Sequence, residues 1–358
     1  MDHHAGFRFG AATLQSAPPS SCDAVGSYVI TAQLVAVQAK MSLDHYRDAA
    51  AFRRKVLELT EEAILGLDRL PTLIAFPEAI GFPLLLTLSG NPNILRSRRL
   101  TQAITALGRG ELASAVRTMA ARRIGPLRAL YHLRAKDAFV AYAGAFAEAA
   151  RFARATIVGG TIFLPQIELE ASRGLHVAAD VVRNTAFTFA PSGLLLDRTH
   201  KRYLTAGLES RVGLVGSDAA AVHTFTAPVG KVGIAICLDG FYGSTFERLD
   251  GLEATVVVQP SANFAKWSRP WPADSNLCEG DAWFARGLRS QIQDRMHIRV
   301  GVNPMLVAEL WDLEAEGRSS IVVNHRFQDA AVEGLDGMLA VASSCDRQEV
   351  VRAKVTTA

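Results

Sequence analysis

Eight short runs of mostly apolar residues constrain this chain more than any other feature. They are Tyr28–Gln38, Thr72–Phe76, Thr156–Phe163, Asn184–Phe189, Lys231–Cys237, Ala254–Gln259, Ile298–Val302 and Ser320–Val323. Most are rich in Val, Ile, Ala and Thr and end at Gly, Pro or Asp, which reads as buried strands. Between them lie stretches with helical periodicity: Asp48–Leu67, the Ala-rich Phe139–Ala155, and Ser275–Arg295. Strands alternating with helices call for an α/β architecture with covered sheets. There is no internal repeat and no low-complexity linker, so one domain spanning residues 28–342 is the simplest organisation. Residues 1–27 read as a loose tail and 343–358 as a C-terminal extension, available for an interface.

Composition supports a large core. Of 358 residues, 49% are hydrophobic and 20% are charged. No apolar run approaches the roughly 20 residues that span a bilayer, and the N-terminus has no charged-then-apolar signal pattern. A cytoplasmic protein is expected. The four cysteines, Cys22, Cys237, Cys278 and Cys345, have no metal-ligand spacing, and a core of this size needs no disulfide framework. No cofactor or metal is called for.

The net charge of +3 hides a local excess. Residues 91–137 hold ten basic side chains: Arg96, Arg98, Arg99, Arg109, Arg117, Arg122, Arg123, Arg128, Arg134 and Lys136. Only Glu111 and Asp137 oppose them. With Leu, Ala and Ile between the charges, the segment reads as an insertion of two or three short helices before a helix starting near Phe139. Its first reading is a lid that draws in an anionic substrate. The second is peripheral contact with anionic lipid. Nucleic acid comes last, since Tyr131 is the one aromatic residue there that could stack on a base.

Chemistry-bearing residues stand after two buried runs and after a strand with its Pro-Ser-Gly turn. "LIAFPEAIGFP" leaves Glu78 just after Pro77, which stops the ladder because proline has no N–H to donate. "DRTHKRYLTAGLES" presents Lys201 and, eight residues later, Glu209. "VGIAICLDGFYG" ends a buried run in Cys237. Singly, each has a bland reading: a loop carboxylate, a solvated lysine, a small core residue. In open α/β sheets, however, sites gather at the carboxyl ends of strands.

Taken in order, these pieces resemble the nitrilase superfamily, the carbon–nitrogen hydrolases. "FPEA" is similar to the family's glutamate motif and "DRTHKRYL" to its lysine motif. "VGIAICLDG" followed by "GLEATVVVQPSA" is similar to its cysteine motif. "IVGGTIF", "NTAFTFAPSGLLLDRTHK" and "EGRSSIVVN" extend the likeness from about Tyr28 to the C-terminus. The resemblance implies a four-layer α-β-β-α sandwich and a Glu-Lys-Cys triad of Glu78, Lys201 and Cys237. Glu78 would act as base, Lys201 and the Leu238 N–H as oxyanion donors, and Cys237 as nucleophile. Glu209 would line the pocket or stay a loop carboxylate. Asn263, Phe264 and Trp267, on the loop after the next strand, would contact substrate, and Trp271 would pack.

The chain departs from the family after the nucleophile. True nitrilases place Trp-Glu there, and this chain has Leu238–Asp239, which favours an amide or carbamoyl-amine over a nitrile. Gly243 and Ser244 stand near the position where many amidohydrolase branches have Pro-Glu. Acyl transfer through the same thioester is a second reading, and a non-catalytic binding or scaffold protein a third. The implied partners are a small-molecule amide, an anionic one among the candidates, and further copies of the chain in a homodimer or larger oligomer.

Overall fold

The computed structural model describes residues 30–170, 174–205, 209–210, 212–327 and 337–357. The expected tail at 1–27 and Cys22 lie outside them. Two sheets stack face to face. The larger has eight strands. Its main path runs Leu313–Ala315, Leu306–Leu310, Thr31–Ser42, Thr72–Ala75, Thr156–Glu170, Gly174–Phe189 and Leu195–His200. The smaller has six, in the order Met338–Val341, Ser320–Val323, Val300–Asn303, Val256–Val258, Gly230–Ile234 and Thr224–Ala227.

Strand Thr31–Ser42 shows how four layers follow from sequence. Its residues alternate between two buried faces. Leu34 and Ala36 pack between the sheets with Val232, Ile234, Val256 and Val258. Val35 and Val37 face outward into the core under helices Ala49–Ile64 and Pro126–Ala153. On the other side, Val257 turns away from the sheet interface and packs with Phe246 and Leu249 of helix Gly243–Gly251 and Leu288 of helix Leu288–Gln291. This is the expected α-β-β-α sandwich. No helix among the described residues is long and apolar enough to cross a membrane.

Several boundaries differ from expectation. The helix expected from Phe139 begins at Pro126, with proline at its first position, where the missing N–H costs nothing. The basic segment therefore contributes helices Pro92–Arg96, Leu100–Gly110 and Leu112–Arg122, and then the first half of this longer helix. Ser275–Arg295 is not one helix. It is a strand, Asp274–Cys278, and two helices, Glu279–Arg286 and Leu288–Gln291, separated by Gly287. A Cβ on Gly287 would meet the Trp283 carbonyl oxygen at 2.5 Å. Within the segment expected as a C-terminal extension, Glu349–Thr356 pairs antiparallel with Thr31–Ser42.

Candidate active site

Glu78 follows the end of strand Thr72–Ala75, and its loop is tied to the neighbouring strand. The Ala79 N–H donates to Thr161 Oγ1 at 2.8 Å, and the Gly81 N–H to the Thr161 carbonyl at 2.9 Å. Gly160 makes that approach feasible. A Cβ there would sit 2.0 Å from the Pro77 carbonyl oxygen, and its φ of +70° favours glycine. Ala79 itself has φ +59°, so the backbone turns sharply right after the carboxylate.

Cys237 opens a 3-10 turn, Cys237–Phe241, at the end of the Gly230–Ile234 strand segment. Its φ is +50°, the left-handed region that non-glycine residues rarely enter. Two contacts hold it there. Its N–H donates to the Pro260 carbonyl at 2.9 Å, and its carbonyl accepts from Gln259 Nε2 at 2.7 Å. Gly240 leaves room for that glutamine, since a Cβ would lie 2.0 Å from Nε2. The next amide, of Leu238, is the second in the turn, where a helix provides no acceptor for its N–H.

Lys201 ends the pairing after strand Leu195–His200 and is 1% exposed. Its Nζ donates to Glu78 Oε1 at 2.7 Å and to Glu209 Oε2 at 2.8 Å. Glu78 Oε2 accepts the Ala262 N–H at 3.1 Å, and the Glu209 carboxylate accepts the Thr205 N–H at 2.7 Å. The structure thus gathers Glu78, Lys201, Glu209 and Cys237 in one buried cluster. The Cys237 thiol donates weakly to the Ala262 carbonyl at 3.8 Å, and the Ala262 N–H in turn donates to Glu78 Oε2.

Sequence reasoning missed two members. Asn184 donates through Nδ2 to both Glu78 and Glu209, at 2.8 and 2.9 Å, and so fixes their separation. Asp239 accepts the backbone N–H groups of Arg202 and Tyr203, the latter at 2.7 Å. It therefore clamps the chain after Lys201 onto the turn that carries Cys237. The signal for Asn184 is a polar residue opening an apolar strand. That for Asp239 is a carboxylate two residues beyond the cysteine.

The cluster holds one cation against two carboxylates and a thiol. Burial raises the Glu78 pKa, and the nearby Lys201 charge only partly opposes this. Burial, then the Glu78 charge, push the Cys237 thiol well up, with Lys201 pulling the other way. The sulfur therefore rests protonated. For Lys201, burial disfavours the charge, but Cys237, Glu78 and Glu209 outweigh it and its pKa rises. Burial carries Asp239 up to about 7 against the N–H donors of Tyr203 and Arg202. Moving a proton from Cys237 to Glu78 leaves the net charge of the cluster unchanged, so the transfer avoids the cost of burying a new charge.

The thiol faces a cleft of about 830 Å³ lined by Leu238, Asn263 and Phe264 among others. Beside it, a chamber of about 30 Å³ is walled by Glu78, Lys201, Glu209, Phe163 and Leu100. The chamber and cleft share Thr205, Ala262, Phe264 and Leu313. Asn263 and Phe264, expected to contact substrate, line the cleft. Trp267 does not: it packs edge-on against Phe284, ring centroids 5.8 Å apart, and over Gly280. Trp271, expected to pack, lines the cleft instead, together with Trp283. On the long hairpin, Glu168, Glu170 and His176 bring their ligand atoms within 4.8 Å of one another. All three are only half-buried, and His176 Nε2 lies 3.4 Å from Glu170 Oε1.

Comparison with known proteins follows the same lines. A family model described as carbon-nitrogen hydrolase matches residues 34–279. No curated protein matches the sequence. Among solved structures, the chain is similar to Saccharomyces cerevisiae Nit3, a member of branch 10 of the nitrilase superfamily, at 17% identity and TM-score 0.55, covering 91% of this chain and 90% of that one. It is similar to a carbon-nitrogen hydrolase from Helicobacter pylori G27 at 15% identity and TM-score 0.56, over 91% and 89%. An amidase from Nesterenkonia sp. aligns at 12% identity and TM-score 0.54, over 93% and 92%. At these identities the likeness speaks for the fold.

Proposed function

Because the chain belongs to the carbon–nitrogen hydrolase family, whose model covers residues 34–279, we propose that it cleaves a non-peptide C–N bond by a thiol mechanism. An amide or carbamoyl-amine is the substrate class, ahead of a nitrile. The observation that carries this reading is the convergence of Glu78, Lys201 and Cys237. The lysine lies 2.7 Å from the glutamate, and the thiol, hydrogen-bonded to the Ala262 carbonyl, is near enough to both for their charges to shift its pKa.

The steps follow from the resting protonation. Glu78 takes the thiol proton as Cys237 Sγ attacks the carbonyl carbon. The tetrahedral oxyanion forms between Lys201 Nζ and the Leu238 N–H. The C–N bond breaks as Glu78 returns its proton to the leaving amine, and a thioester remains on the sulfur. Water then attacks it, giving a proton to Glu78. Collapse releases the carboxylic acid and restores the thiol. Glu209 and Asn184 hold Glu78 and Lys201 in register, and Asp239 keeps the lysine's chain against the nucleophile's turn. The chamber of about 30 Å³ beside Glu78 and Lys201 has room for a short acyl group. The rest of the substrate would occupy the cleft.

Acyl transfer to an amine would use the same thioester, and the width of the cleft leaves room for an acceptor. The deciding experiment is mass spectrometry of protein and products after incubation with simple amides, with and without added amine. Hydrolysis predicts a Cys237 acyl adduct that turns over to free acid in both cases. Product amide rising with added amine would favour transfer, and no adduct on any amide would remove the thioester. A cytoplasmic homo-oligomer is part of the same reading. Val140 and Phe152 are exposed on helix Pro126–Ala153 and would suit a helical interface.

A further inference from the structure

One charged group in the cleft has no counterpart in that mechanism. Glu279 is 8% exposed and lines the same cleft as Cys237. Among the described residues its carboxylate has no hydrogen-bond or ion-pair partner. Arg269 is near enough for its charge to be felt, but not to pair. The other charged residue on the cleft wall, Arg286, is already engaged. It lies 3.3 Å from Asp274, and its guanidinium stacks 5.4 Å from the Trp271 ring centre.

The Glu279 side chain is mostly covered, but its oxygens open onto the cleft, where a carboxylate with no protein partner is free to meet a ligand. Glu279 opens helix Glu279–Arg286, where a carboxylate suits the helix dipole. That end is already served, however. The Cys278 N–H donates to Asp281 Oδ2, and the Asp281 N–H to Cys278 Sγ, both at 3.4 Å. A dipole partner would also do its work from solvent. Phe241, Tyr242, Trp271 and Trp283 wall the same cleft, with Phe241 and Trp283 edge to face at 4.9 Å. An unpaired carboxylate in a cleft with aromatic walls suits a compact cation.

We propose that the substrate carries a protonated amine distant from the scissile bond, and that Glu279 receives it against this aromatic wall. The proposal rests on the thiol-amidase reading and gives its site a substrate class. It sets the cleft's own charge against the anionic substrate that the basic segment 91–137 suggested. The basic residues of that segment do not line the cleft.

The test compares matched pairs differing only in an ammonium or methyl terminus. One pair places the group on the acyl side: the amide of δ-aminovaleric acid and its neutral isostere hexanamide. The other places it on the amine side: monoacetylcadaverine and N-hexylacetamide. In at least one pair the cation should have a kcat/KM about tenfold or more higher. Glu279→Gln should bring that ratio near one and leave the neutral member unchanged. Equal rates within both pairs, or a preference that survives Glu279→Gln, would overturn the proposal. Binding provides a readout independent of turnover. Pentylamine should bind calorimetrically to the Cys237→Ala protein and lose that binding when Glu279→Gln is added. Binding without turnover of any amide would sink the amidase reading and leave the cation site standing. Turnover with no pentylamine binding would do the reverse.

Discussion

Lys201 and Glu78 form a 2.7 Å ion pair in which neither side chain is more than 5% exposed. Glu209 adds a second carboxylate to the same ammonium at 2.8 Å. The buried cluster is thus one positive charge short of neutral when both carboxylates are ionised. That imbalance makes the two partners unequal under mutation.

Lys201→Met would leave two carboxylates facing each other with only Asn184 between them. Breaking a buried pair in this way costs about 3–5 kcal/mol of stability, and kcat should fall by about 10²–10³ through loss of an oxyanion donor. Glu78→Gln instead relieves the excess charge. It should lower kcat by about 10²–10⁴ and cost less stability than Lys201→Met, about 1–3 kcal/mol for the amide NH₂ set against a buried donor. Melting curves alongside kinetics separate the two. A Glu78→Gln protein as unstable as Lys201→Met would contradict the charge balance described above.

Cys237 sits at φ +50°. A side chain in that region costs roughly 1–2 kcal/mol relative to glycine. Both Cys237→Ala and Cys237→Gly should lose turnover, but the glycine variant should melt higher than the alanine one. The order is the reverse of that in ordinary strand or helix, where glycine is the weaker residue. If alanine proved the more stable, the turn would not be storing strain at the nucleophile.

Glu78 and Cys237 were legible in the sequence because each follows a buried run with a residue type that such runs rarely end on, and Lys201 through the motif around it. Glu209 was half legible, and its place beside Lys201 came from the fold of the loop. Asn184 and Asp239 escaped because asparagine and aspartate are common in turns, and nothing local marks one as buried. Strand Leu195–His200 was missed for a related reason: "LLLDRTH" leaves Leu195 and Leu196 exposed, so its apolar residues do not report burial. Strand Glu349–Thr356 alternates charge with valine and reads as surface, yet it runs beside the deeply buried Thr31–Ser42. The charges of residues 126–137 hid the start of the long helix. Its buried residues there, Ala129, Leu130, Tyr131 and Ala135, form a helical stripe interleaved with arginines.

Away from the nucleophile, His223 provides a check on the sheet edge leading to Lys201. Its ring lies 2.7 Å from Asp197 Oδ1, and that bond raises its pKa from 6.5 to about 9. A histidine whose folded pKa is raised contributes stability that is complete below about 6.5 and is lost as pH rises through about 9. The ring is 41% exposed, so solvent screens the pair and the effect is modest. His223→Gln should melt below the parent at pH 6, and the gap should close by pH 10 (thermal melts across roughly that range suffice). A gap that widened with pH would reverse the sign and discard the pairing.

The basic segment reaches the site through an apolar residue. Leu100, the first residue of helix Leu100–Gly110, walls the chamber beside Glu78 and Lys201. Its N–H is held by Asp312 Oδ1 at 2.8 Å, next to Leu313, which lines both chamber and cleft. The segment thus supplies part of the chamber wall at this point, whatever its charges do further out. Leu100→Ala removes three carbons from the chamber wall. Truncating a buried leucine costs about 2–5 kcal/mol of stability, so measurements belong well below the melting point. One methylene in a close-fitting pocket is worth about 1–3 kcal/mol of discrimination. The variant should therefore accept butyramide relative to acetamide at least about tenfold better than the parent does. An unchanged ratio in a folded Leu100→Ala protein would mean that the acyl group does not enter this chamber, and that the segment's role lies with its charges.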